Sequence, residues 1–309
     1  VRRALNLDSG EVAYWEYPAQ TPKGKSDILV VHGFRGDHHG LELVAQSLPG
    51  HRIVSPDLPG FGASAPFSGR RHSVESYADF VADFAAALEL GPDTVIIGHS
   101  FGSIIVSHHL ATHTGSFRAA VLINPISEPA LKGPKAVASR LAEFYYYLAA
   151  KLPEKPGMRL LQHPLIVRVM SIMMAKTRDR QLRRYIHGQH DAYFSAFANR
   201  DVVLEAFRAS ISHDVLEVAP QLELPVLLIA GRKDDLGSVD SQQQLAAQLP
   251  EPARWISTRA ATALAALGLL WNLAPYVALG DRVRAAEAGG RRERHGTVRL
   301  HGRRAPNRR

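Results

Sequence analysis

VIIGHSFGS, residues 95–103, constrains this chain more than any other stretch. A run of β-branched and aliphatic residues ends in Gly98-His99-Ser100-Phe101-Gly102, a complete G-x-S-x-G. Such a pattern turns a buried strand abruptly into a helix and leaves the serine hydroxyl standing at the top of the turn. A serine hydroxyl is a poor nucleophile at neutral pH unless a neighbouring base takes its proton. The stretch therefore asks for an α/β sheet around it and for a base beside it.

The flanking sequence supplies the sheet. Residues 1–17 read as a β-hairpin around Ser9-Gly10, and Asp27 to Val31 is a short apolar run suited to a buried parallel strand. It empties into His32-Gly33-Phe34-Arg35-Gly36. Further strands are expected at 52–55, 94–97 and 119–123, and the alternation resumes with LPVLLIAGRKDD at 224–235, with helices near 41–48, 73–90, 101–113 and 238–249. Strands alternating with helices at this spacing imply a mostly parallel sheet covered on both faces. Residues 127–215 break the alternation with helical patterns such as FYYYLAAKL and LIVRVMSIMM. These read as a cap over the carboxyl edge of the sheet, where such sheets bind ligands. The plain expectation for their aromatics and methionines is that they pack the cap onto the body. The organisation expected is a core of 1–126 and 216–257, a helical cap of 127–215, and an Ala/Arg-rich tail of 258–309.

Four ordered pieces, VVHGF, PDLPGFGAS, GHSFG and LLIAGRKD, each follow a strand. With them the chain resembles the α/β-hydrolase family, specifically its cap-bearing serine hydrolases. The resemblance covers residues 1 to about 257 and implies the α/β-hydrolase fold. It implies Ser100 as nucleophile and the backbone N–H groups of Phe34 and Phe101 as the oxyanion hole, donors aimed at the negative oxygen of a tetrahedral intermediate. Asp234 takes the family's place for the acid that orients the imidazole, with Asp235 a weaker rival. An ester or related acyl compound is the implied substrate; hydrolysis of a carbon–carbon bond is the variant. A serine at the elbow argues against the relatives that attack with a carboxylate.

The base is missing from its expected place. The family carries its histidine after the last strand, near residue 262 here, yet 254–268 reads RWISTRAATALAALG. His32 fits a loop-packing role, and His99 fills the elbow. His38, His39, His108, His109, His187 and His190 are expected at the surface or in the cap. His213 precedes the acid and would need an unusual arrangement to serve. Three readings of the tail stay open. It is the product of a shifted reading frame, and the end of the last strand, the histidine loop and the final helix are lost. Or His301 or His295 reaches the site from a long segment, although their arginine-rich surroundings favour disorder over a buried base. Or Ala260 to Gly280, 21 residues without a charge, forms a membrane span. A catalytically impaired, binding-only protein is the rival function.

Composition narrows the partners. The net charge of +8 resides wholly in the tail, where 258–309 holds eleven arginines against three acids, while the remainder is balanced. No specific nucleic-acid partner follows from that distribution. There is no cysteine, so disulfides and thiolate metal sites are excluded. No cofactor and no metal are expected, only a small hydrophobic acyl substrate. The first residues lack the apolar run of a signal peptide, and a cytoplasmic location is the expectation.

Overall fold

Four strands explain most of the architecture. The computed structural model describes residues 1–20, 26–131, 136–175, 177–231 and 237–250, and the backbone of 254–258. Ile28–Val31 (β3), Val95–His99 (β5), Ala119–Ile123 (β6) and Val226–Gly231 (β7) are buried almost throughout, as expected of strands covered on both faces. Successive residues face opposite ways. Leu29, Val31 and Ile96 join one core with Phe80, Phe84 and Ile104, while Ile28, Val30 and Ile97 join another with Val44 and Leu48.

The remaining strands complete an eight-stranded sheet in the order β1-β2-β4-β3-β5-β6-β7-β8. Arg2–Leu7 (β1) and Gly10–Tyr17 (β2) form the antiparallel hairpin read from the sequence, and β2 pairs antiparallel with Ile53–Pro56 (β4). From β4 onward every pairing is parallel. Glu42–Gln46 (α1) lies on the second face; Val74–Ala87 (α2) and Phe101–Thr112 (α3) cover the first. Ser73 caps α2 by accepting a bond from the Ser76 N–H.

The last strand is Arg254–Thr258 (β8). Its pairing with β7 runs from Leu227 opposite Arg254 to Gly231 opposite Thr258. Main-chain bonding does not depend on the apolar pattern that fades there.

Between β6 and β7 the chain builds Ala136–Lys151 (α4), Glu154–Leu161 (α5), Pro164–Met174 (α6), Arg180–Tyr193 (α7) and Arg200–Ser212 (α8). Then Val239–Gln248 (α9) follows β7. The apolar runs in α4 and α6 do not all pack inward. Tyr146, Ala149 and Val167 are buried, whereas Phe144 and Met173 stand about 61% and 63% exposed. These helices are apolar on more than one face, and only one face meets a neighbour. No described helix is long and apolar enough to cross a membrane; Ala260 to Gly280 lies outside the described residues.

Candidate active site

Ser100 sits between β5 and α3 with φ 53° and ψ −118°, a conformation costly for a residue with a β-carbon. Two glycines make the turn sterically feasible. A β-carbon on Gly98 would stand 2.5 Å from the Gly102 carbonyl oxygen, and one on Gly102 would stand 2.3 Å from that of Val31. Hydrogen bonds then hold the strain. The Ser100 N–H donates to the Ile123 carbonyl at 3.0 Å, and the Ser103 N–H donates to the Ser100 carbonyl at 2.8 Å. Ser103 Oγ bonds that same carbonyl and accepts from the Ile126 N–H at 3.3 Å.

The second half of the site is the turn after β3. A β-carbon built on Gly33 would lie 3.1 Å from the Ser100 β-carbon, so the Gly33-Phe34 backbone runs directly alongside the serine. Phe101 opens α3, where first-turn N–H groups have no acceptor within the helix. His32 is locked. Its Nδ1–H donates to the Gly33 carbonyl at 2.8 Å, and its Nε2 accepts from the Leu58 N–H at 2.8 Å. Burial pushes its pKa down. It shapes the turn and has no nitrogen left to act as a base.

The Phe34 ring packs against Phe61, Tyr146 of α4 and Phe207 of α8 at centroid distances of 6.1, 5.7 and 5.5 Å. The inserted helices thus reach the residue beside the serine. Arg35, with φ 57°, turns the other way and is fully buried. Its guanidinium donates to the carbonyls of Leu161 and Phe194, at the ends of α5 and α7, at 2.9 and 3.0 Å. It also lies over the rings of Phe194 and Phe197 at 4.7 and 5.1 Å. Among the described residues no carboxylate pairs with it. Two helix C-termini, each carrying partial negative charge, and two aromatic faces balance the cation instead. The glycine-rich turn was legible in sequence, but this clamp was not, since one arginine in a loop carries no local signal of burial.

The acid and the base stand differently. Asn124, with φ 46°, receives the Gly231 N–H on its side-chain oxygen at 3.0 Å, which ties the end of β7 to the end of β6. Asp234 and Asp235 follow that point but lie outside the described residues, as do His295 and His301. Among the described residues no side chain bonds the Ser100 hydroxyl. His99 is pushed down to about 4 by burial and by His32, and makes no bond to its neighbour. His213 pairs with Glu217 at 2.9 Å instead.

Two histidines expected outside are inside. His38 is buried because its ring stacks on Trp15 and its Nδ1 bonds Asp57 at 2.9 Å. His109 is buried where α3 meets α2, against the Ala78 carbonyl. Asp57, from the PDLPGFGAS stretch, also accepts from the His38 and Ala63 N–H groups, so that loop is pinned from three directions.

A mostly parallel sheet with a strained serine elbow facing a glycine turn is the architecture of an α/β hydrolase. A family model described as serine aminopeptidase, S33, matches residues 22–258, and the chain belongs to this family of α/β hydrolases. The pimeloyl-[acyl-carrier protein] methyl ester esterase of Vibrio atlanticus is 22% identical over 82% of this chain and 92% of its own. Lipase 3 of a Moraxella species is 26% identical over 40% of this chain, and the match spans 38% of the lipase. Among solved structures, an esterase from Exiguobacterium antarcticum superposes with a TM-score of 0.70 at 14% identity, covering 89% of this chain and 98% of its own. An enol-lactonase from Burkholderia xenovorans gives 0.66 at 16%, covering 92% and 98%.

Proposed function

We propose that the chain is an ester hydrolase acting through an acyl-enzyme at Ser100. The observation that carries this reading is the Ser100 elbow held against the Gly33-Phe34 turn. Ser100 Oγ attacks the acyl carbon while its proton passes to an imidazole, and the developing oxyanion meets the N–H groups of Phe34 and Phe101. The imidazole returns the proton to the departing alcohol. Water then attacks the acyl-serine and restores the hydroxyl. Asp234 is the residue assigned to orient the imidazole.

Residues 127–215 act in this reading as the cap. Phe34, Tyr146 and Phe207 form an apolar cluster against the turn beside the serine, which supports a small hydrophobic acyl or alcohol group as substrate. The relatives named as a methyl ester esterase and a lipase support ester chemistry over cleavage of a carbon–carbon bond. A cytoplasmic location belongs to the same reading and is checked by cell fractionation.

One observation favours a second reading, a protein that binds but turns over slowly. No described histidine hydrogen-bonds the Ser100 hydroxyl, and loss of a triad member costs about a millionfold in turnover. Short p-nitrophenyl esters and a fluorophosphonate probe test the first reading. Grafting a Gly-His loop after β8 separates the two, since a gain of several orders of magnitude means that only the base was wanting.

A further inference from the structure

Away from the serine, His108 of α3, His213 just past α8, and Glu217 form a tight group whose ligand atoms all lie within 4.8 Å of one another. His108 Nε2 is buried and has no hydrogen-bond partner. It stands 3.6 Å from Glu217 Oε2, too far for a hydrogen bond, while His213 Nδ1 is 2.9 Å from the same oxygen. The two imidazoles meet edge to face, with centroids 5.3 Å apart.

The tautomer of His108 is set by its other nitrogen. Since Nε2 has no partner, the ring's bond to the Asp214 backbone is made through Nδ1. Nε2 therefore presents a lone pair toward Glu217. A metal-bound imidazole is commonly held in this way, with one nitrogen on a backbone carbonyl and the other on the ion. Donor spacing agrees. Zinc bonds of about 2.0–2.1 Å in a tetrahedron put ligand atoms about 3.3 Å apart, between the 2.9 and 3.6 Å seen here. His213 and Glu217 are 31% and 41% exposed in their side chains, so both can make the small adjustment. Glu75 of α2 is within electrostatic reach of both rings, although its carboxylate is held by Ser73 and the start of the helix, so water completes the shell.

The second histidine cluster makes a poorer site. In Asp37-His38-His39 each residue holds a partner, His38 with Asp57 and Asp37 with His39, whereas in the first cluster the buried His108 Nε2 has none.

We propose that His108, His213 and Glu217 bind one divalent transition-metal cation of the zinc class, joining the end of the helical insertion to the serine-bearing helix α3. Two imidazoles and a carboxylate suit zinc better than magnesium or calcium, which take all-oxygen shells. His108 lies eight residues beyond Ser100, about 12 Å along the helix. The ion would therefore be structural and stand apart from the serine chemistry.

The test is titration of the purified, untagged full chain with Co²⁺, followed by displacement with Zn²⁺. One Co²⁺ per chain is expected, with the visible absorption of a four- or five-coordinate site, and one Zn²⁺ should displace it and raise the thermal midpoint. His213→Asn and Glu217→Gln, both at partly exposed positions, should each weaken binding roughly tenfold or more. His39→Asn should leave binding unchanged. Absence of saturable binding at about 100 µM cation, or full binding retained in both the His213→Asn and Glu217→Gln variants, overturns the proposal.

Discussion

Gly33 and Ser100 lie so close that a β-carbon on the first would stand 3.1 Å from that of the second, and 3.2 Å from the His99 carbonyl. The contact joins the ends of β3 and β5 and holds the Phe34 backbone beside the serine. Gly33→Ala should displace that backbone by a few tenths of an ångström without unfolding the sheet. Serine labelling by a fluorophosphonate should slow by about ten- to a hundredfold, as expected when reacting groups are slightly misplaced. Labelling rate and far-UV dichroism, measured together, check this; an unchanged rate contradicts the role given to the turn.

Gly102 answers to a stricter constraint. Its missing β-carbon would meet the Val31 and His32 carbonyls at 2.3 and 2.6 Å, backbone atoms at the end of β3 and the start of the turn after it. Gly102→Ala should destabilise the fold by about 3 kcal/mol, the upper range for overpacking. A fall in the urea midpoint with little change in slope is the expected result.

The Arg35 clamp gives a third prediction. Arg35→Met keeps the apolar stem but leaves the Leu161 and Phe194 carbonyls without their donor, at a cost of roughly 2–4 kcal/mol. Arg35→Lys should not rescue, because one ammonium cannot reproduce the planar fork across two helix ends. Thermal unfolding of the three proteins decides it, and a stable lysine variant would show that charge alone suffices.

How the sequence specifies this molecule is visible in the same residues. The buried strands and their order were legible because apolar runs of four to six residues, each bounded by glycine or proline, have few other uses. Ser100 and the Gly33 turn were legible because their backbone conformations tolerate few residue types. Arg35, His38 and His109 were not. Whether a polar side chain in a loop or on a helix points inward is decided by partners far along the chain, here 159 residues away for the Arg35 bond to Phe194. The exposed residues of α6 misled for the opposite reason, since an apolar pattern says what a face prefers and not what is present to meet it. Asp234 was assigned from its motif alone and lies outside the described residues.

Acidity supplies a fourth prediction. Burial pushes His72 down to about 4, beside Tyr77 and under Phe67. The unfolded chain takes up a proton near its ordinary value of 6.5 while the folded chain does not. Stability is therefore full above pH 6.5 and drains away as the pH falls toward 4, by an amount on the order of 3 kcal/mol for this group. His72→Gln should flatten the dependence of the urea midpoint on pH between 7 and 4; an identical slope in both proteins contradicts the assignment.

The role proposed for Ser100, a nucleophile facing main-chain donors, is checked by intact-protein mass spectrometry after exposure to a fluorophosphonate. A single adduct is expected, mapped to the peptide containing Ser100 and absent from Ser100→Ala. No adduct on the native chain, or one that persists in Ser100→Ala, would contradict it.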